Sequence, residues 1–139
     1  MKSFANAHWE GSGKEGSGKL NTKSKVLNNT PYEYKSRFEG GENTNPEELV
    51  AAAHAGCFSM KLSFVLGAAG FTPDSIDTEC TVTLESGAVT SSYLNVKAKV
   101  PGISNEKFQE CAKNAKENCP ISKSLSSKID ISMDASLNQ

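Results

Sequence analysis

Polar and apolar positions change rhythm along the chain. A glycine-rich alternating region comes first. A stretch that is apolar on most sides follows, and then alternation returns around one helical stripe. Phe4 to Glu10 reads as a short strand, Gly11-Ser12-Gly13 as a turn, and Lys14 to Thr22 as a polar second strand. Pro31 introduces Tyr32 to Phe38, where Tyr32, Tyr34 and Phe38 alternate with Glu33, Lys35 and Arg37. That alternation predicts a third strand, ended by Gly40-Gly41, with Arg37 on the face opposite the aromatic residues. Residues 1–40 are therefore expected to form a β-meander.

A long helix should follow. Asn45 suits the N-cap, Pro46 the first turn, and Glu47 and Glu48 the positive end of the helix dipole. From there to Gly67 and Gly70 the sequence is apolar on most sides, the pattern of a helix buried inside a protein. Val50, Ala53, Cys57, Met60 and Phe64 fall on a 3-4-3-4 spacing, so one seam carries Cys57 near its middle. His54 and Lys61 interrupt the run, and three consecutive alanines add little hydrophobic drive, so it is not expected to span a membrane.

Period two returns from Ser75 to Glu85, where Ile76, Thr78, Cys80, Val82 and Leu84 share a face. Ser86-Gly87 makes a hairpin turn into a strand burying Leu94, Val96, Ala98 and Val100, which Pro101-Gly102 ends. Ser104 can cap a second helix reaching Asn118, with Phe108, Cys111, Ala112 and Ala115 on its apolar stripe. Pro120 then stops that helix and can begin another, and a final strand alternates Ile129, Ile131, Met133, Ala135 and Leu137 with Asp130, Ser132 and Asp134. The order predicts one α+β domain over residues 1–139 with antiparallel sheet.

Composition modifies this picture in a few places. The hydrophobic fraction is 37%, thin for a chain with so apolar a helix, and a homodimer sharing core across its interface would relieve the shortage. A formal net charge of -1 gives no electrostatic footprint for nucleic acid or an anionic membrane. The N-terminus has no apolar signal region, so the chain reads as cytoplasmic. The cysteines Cys57, Cys80, Cys111 and Cys119 have neither disulfide-framework nor zinc-finger spacing and are expected to be thiols. Fourteen lysines stand against one arginine, Arg37, so guanidinium geometry is either required there or incidental.

The cysteines divide by position. Cys80 and Cys111 fall in phase with core faces and read as packing residues. Cys57 is open to two readings, an inert core thiol or a reactive one; Gly56 beside it suggests a close backbone approach by a neighbouring element. Cys119 precedes Pro120 and so lies at a fresh helix start, a setting that generally favours a thiolate.

These residues carry a resemblance. Ala7-His8-Trp9-Glu10-Gly11, Ser36-Arg37-Phe38-Glu39-Gly40, Thr44 through Met60, Ala69-Gly70-Phe71-Thr72-Pro73, Val100-Pro101-Gly102 and Cys119-Pro120-Ile121-Ser122 together resemble the OsmC branch of the OsmC/Ohr thiol peroxidases. The resemblance implies an OsmC/Ohr-like fold: antiparallel sheets wrapped around a long buried central helix, in an intertwined homodimer with active sites at the interface. It implies that Cys57 attacks the peroxide and becomes a sulfenic acid, and that Cys119 resolves it as a Cys57–Cys119 disulfide. Arg37 and Glu47 match the pair that activates the thiolate. The implied substrates are organic hydroperoxides and, less efficiently, hydrogen peroxide. The implied reductant is an external thiol, with a lipoylated protein as candidate, and no metal or organic cofactor is implied.

The residue chemistry is compatible with those roles. A buried thiol is a poor nucleophile unless a cation stabilises its anion, and a carboxylate can fix the orientation of that cation. A sulfenic acid needs a second thiol nearby to avoid overoxidation. Glu47 and Cys57 are separated by about 15 Å along one helix and roughly 80° around it. Glu47 is therefore expected to serve the Cys57 of a partner subunit. Glu48 competes with Glu47 as the arginine's partner, although capping already gives it a structural task. His54 could act as a general base or bond locally. His54, Cys57 and Cys119 could instead hold zinc, with no obvious fourth ligand. A metal-binding or redox-inert stress protein of the same family is thus the rival to a peroxidase.

Overall fold

The structure, a computed structural model, describes residues 1–38 and 42–138, so the expected Gly40-Gly41 break lies outside the described residues. The fold is α+β. In chain order the elements are β1 (Ala5–Glu10), β2 (Ser17–Thr22), β3 (Thr30–Tyr32), α1 (Lys35–Phe38), α2 (Pro46–Ala68), β4 (Ser75–Glu85), β5 (Ala88–Lys99), α3 (Asn105–Asn118), α4 (Pro120–Leu125) and β6 (Asp130–Leu137). They divide into two compact units, Met1–Leu49 and Val50–Gln139.

In the first unit β1, β2 and β3 form the expected antiparallel meander. Gly18 in β2 is buried beneath Trp9 and Tyr32, whose rings lie 5.4 Å apart. A Cβ at Gly18 would stand 2.5 Å from the Tyr32 ring and 2.6 Å from the Trp9 ring, so close packing dictates glycine there. The expected strand Tyr32 to Phe38 is corrected: β3 ends at Tyr32, and Lys35–Phe38 form the single helical turn α1. Tyr34 and Phe38 stack with centroids 5.1 Å apart. Residues four apart share a face in both a strand and a helix, so their alternation could not separate the two. The Asn45 side chain then fixes the turn, donating from Nδ2 to the Ser36 carbonyl at 3.1 Å.

The helix start is as the sequence requires. Asn45 Oδ1 accepts from the Glu48 backbone N–H at 2.8 Å, and Thr44 Oγ1 donates to Glu48 Oε2 at 2.5 Å. Glu48 is therefore occupied in capping.

In the second unit α2 and α3 cover one face of the sheet β4-β5-β6. The core joins Phe58, Leu62 and Leu66 of α2 to Leu94, Val96, Ala98 and Val100 and to Phe108, Cys111, Ala112 and Ala115 of α3. Ser86 and Gly87 have φ of 51° and 81°, the backbone of a tight two-residue hairpin between β4 and β5. Ser104 caps α3 by accepting from the Lys107 N–H at 3.1 Å.

Two expectations are corrected in this unit. The sheet is mixed, because β6 pairs parallel to β5. Parallel neighbours need a crossover connection, and α3 and α4 supply it between β5 and β6. The expected core seam of α2 is also not the one this chain buries. The buried line is His54, Phe58, Leu62 and Leu66, whereas Ala53 and Gly56 are exposed, Met60 is 65% exposed and Phe64 71%. A helix apolar on most sides gives periodicity no phase to select. Among the described residues α2 is the one helix long and apolar enough to cross a membrane. Its buried line docks on the sheet through a hydrogen-bonded histidine, His54.

Candidate active site

The four expected site residues occur as two pairs. In the first unit, Arg37 Nε donates to Glu47 Oε2 at 3.0 Å. The pair joins α1 to the first turn of α2, with side chains 34% and 15% exposed. Glu47 is thus the arginine's partner and Glu48 is not. Arg37 also shares a cavity of about 470 Å³ with Trp9, Tyr32, Tyr34 and Pro46. This overturns the expectation that Arg37 faces away from the aromatic residues. The helical turn of α1 brings the guanidinium round to them, a rotation that strand phase excludes.

In the second unit, the thiol of Cys57 meets that of Cys119 closely enough for each sulfur to interact with the other. Both are free thiols, Cys57 partly buried and Cys119 fully so. Cys119 ends α3 and caps α4, with φ −64° and ψ 135°, because Pro120 cannot continue α3 but suits the first turn of α4. The Cys119 sulfur accepts from the Ser122 backbone N–H at 3.4 Å and donates to the Ser122 hydroxyl at 3.4 Å. Burial pushes the Cys57 thiol pKa up, and the adjacent Cys119 adds to that rise. The Ile121 backbone N–H and the Lys61 charge oppose it. Within its own unit Cys57 is therefore held toward the thiol.

His54 is buried one turn before Cys57 and bonds to two serines distant in sequence rather than locally. Nδ1 lies 2.6 Å from Ser92 Oγ on β5, and Nε2 lies 2.8 Å from Ser122 Oγ on α4. Burial lowers its pKa below the ordinary imidazole range, which keeps the ring neutral near neutral pH. Both ring nitrogens are engaged by serines, leaving neither to join Cys57 and Cys119 around a zinc ion, and among the described residues no cluster has the makings of a metal site. Cys80 packs as expected in the sheet face, with its sulfur 3.1 Å from Ser92 Oγ. Cys111 is buried on the α3 stripe.

Phe58 and Met60 are apolar residues close to Cys57 in sequence. Phe58 packs wholly into the core, and Met60 is exposed. The aromatic cavity beside Arg37 was missed. Its signal was Gly18 opposite Tyr32 and Trp9, which becomes readable only once strand register is known.

Comparison with known proteins gives a consistent picture. A family model described as OsmC-like protein matches residues 39–134. The chain is 49% identical over 135 residues to the peroxiredoxin OsmC of Escherichia coli, covering 94% of this chain and 93% of that protein. It is 31% identical over 102 residues to the organic hydroperoxide resistance protein OhrB of Bacillus subtilis, covering 71% and 74%. Among solved structures, an OsmC-like protein from Mycoplasma pneumoniae superposes with a TM-score of 0.80 at 13% identity, over 100% of this chain and 99% of that one. An organic hydroperoxide resistance protein OsmC from Legionella pneumophila superposes with a TM-score of 0.74 at 21% identity, over 98% and 97%. These two likenesses speak for the fold.

Proposed function

The chain belongs to the OsmC-like family, and from that premise we propose that it is an antioxidant enzyme, a thiol-dependent hydroperoxide reductase working through Cys57 and Cys119. The observation that carries this is the meeting of those two thiols, one at mid-helix and one at a helix boundary sixty-two positions later in sequence. The 49% identity to a peroxiredoxin over nearly the whole chain supports it.

The Cys57 thiolate attacks one oxygen of the peroxide O–O bond. The sulfur becomes a sulfenic acid, and the alkoxide leaves and takes a proton to become an alcohol. Cys119 then displaces the sulfenic hydroxyl as water and closes a Cys57–Cys119 disulfide. Two thiol equivalents from an external reductant, with a lipoylated protein as candidate, reopen it. The substrate class is organic hydroperoxides, with hydrogen peroxide used less efficiently. The aromatic cavity beside Arg37 supports this preference, since it offers apolar walls next to a guanidinium that can bond the peroxide oxygens.

In this reading the working form is an intertwined homodimer, each subunit one functional domain over residues 1–139 in the cytoplasm. Each active site takes Arg37 and Glu47 from one subunit and Cys57 and Cys119 from the other. The unsatisfied activation of Cys57 argues for a cation from elsewhere. So does the exposed apolar seam through Ala53, Met60 and Phe64, with open space beside Gly56 where a second helix can approach.

Turnover of cumene hydroperoxide with dihydrolipoamide tests the function. Wild type should turn over, Cys57→Ser should not, and Cys119→Ser should consume one peroxide per chain and stall. Undiminished turnover by Cys57→Ser would overturn the reading.

A further inference from the structure

A continuous line of hydrogen bonds leads away from Cys119 into the sheet. The Cys119 thiol donates to Ser122 Oγ at 3.4 Å, and Ser122 Oγ stands 2.8 Å from His54 Nε2. His54 Nδ1 stands 2.6 Å from Ser92 Oγ, which lies 3.1 Å from Cys80 Sγ. Cys119, Ser122, His54 and Ser92 are all at most 1% exposed, so bulk water does not serve this line. Two serines suffice to satisfy a core histidine. What goes further is that the Ser122 hydroxyl is shared between the imidazole and the sulfur assigned to disulfide formation.

We propose that His54 is a positioning residue of the disulfide-forming step, acting through the Ser122 hydroxyl to take up the Cys119 thiol proton as the Cys57–Cys119 bond forms. The inference rests on Cys119 resolving a Cys57 sulfenic acid. As the Cys119 sulfur attacks the Cys57 sulfur, its proton passes to Ser122 Oγ while the Ser122 proton passes to His54 Nε2. The electron pair left on the Cys119 sulfur forms the S–S bond, and the Cys57 S–O bond breaks with its pair on oxygen. The departing hydroxide recovers one proton from the relay and leaves as water. Thiol plus sulfenic acid gives disulfide plus water, and His54 begins and ends neutral.

The surroundings of His54 suit a transient acceptor. The groups facing the ring are Cys80 from β4 at 3.9 Å, Ser92 from β5 and Ser122 from α4, none of them charged at neutral pH. Burial disfavours the imidazolium, so the ring starts with an open lone pair and does not retain the proton. The relay uses the tautomer in which Nδ1 carries the proton toward Ser92, leaving Nε2 as the acceptor toward Ser122.

The test follows conversion of the Cys57 sulfenic acid to disulfide by rapid quenching and mass spectrometry in the full-length dimer, across pH. Because His54→Gln could lose the fold along with the relay, the main variants are Ser122→Ala and Ser122→Thr. Removing the hydroxyl should slow conversion at least about tenfold and make it rise steeply with pH, as the proton must find another base. Threonine, which keeps a hydroxyl, should restore both rate and profile. Wild-type rate and pH dependence in Ser122→Ala would overturn the proposal, and so would equal slowing by alanine and threonine with no change in profile. If wild-type sulfenic acid never becomes the Cys57–Cys119 disulfide, the peroxidase reading itself fails and takes the relay with it.

Discussion

Arg37 donates its Nε–H to Glu47 Oε2 at 3.0 Å, tying a single helical turn to the start of the long helix. Both side chains keep some exposure, so the pair contributes less than about 1 kcal/mol to folding. Its importance should be kinetic. Glu47→Gln should leave the melting temperature nearly unchanged while slowing the first oxidation of Cys57 by organic hydroperoxide by about 10- to 100-fold. Stopped-flow oxidation alongside thermal melting separates the two effects.

Subunit mixing tests where the cation comes from. A heterodimer of Glu47→Ala and Cys57→Ser chains should retain one intact site and about half the wild-type activity per dimer, as complementation across an interface requires. A wild-type chain paired with the double variant should retain none. The opposite pattern would mean that each subunit activates its own thiol.

The acid–base behaviour of Cys57 should follow its neighbours. Burial raises its pKa first, and Cys119 raises it further. With Arg37→Gln these influences should dominate, so alkylation of Cys57 should need pH above the ordinary thiol range. Adding Cys119→Ala should move that profile back toward lower pH, because two upward influences are removed. Under the proposed arrangement, in which Arg37 of the partner subunit stabilises the thiolate, the wild-type profile should lie below both variants. Alkylation rates resolved by peptide mapping across pH give the order.

Asn45 serves two elements, capping α2 at the Glu48 N–H and holding the Ser36 carbonyl of α1. Asn45→Ala should cost about 1–2 kcal/mol in denaturant unfolding. It should also raise KM for bulky hydroperoxides, since α1 carries Arg37 beside the aromatic cavity.

Where the sequence succeeded, local chemistry had one solution. Asn45, Pro46 and Glu48 define a helix start, Ser86-Gly87 a tight hairpin, Ser104 a cap, and Cys119-Pro120 a helix boundary. Where it failed, two geometries shared one pattern. Tyr34 and Phe38 fit a strand or a helical turn equally, so α1 was hidden and Arg37 was turned the wrong way. The apolar character of α2 on most sides concealed which line the chain itself buries. The parallel pairing of β6 depends on a crossover rather than on the strand's own residues. The serines around His54 come from β5 and α4, thirty-eight and sixty-eight positions away, and nothing in local spacing marks them.

The most direct measurement is peptide mapping without reduction after one equivalent of cumene hydroperoxide. A Cys57–Cys119 disulfide should be the main product, with Cys80 and Cys111 still thiols. Recovery of Cys57 as sulfinic acid beside an unreacted Cys119, or of Cys57 unoxidised, would contradict the proposed mechanism.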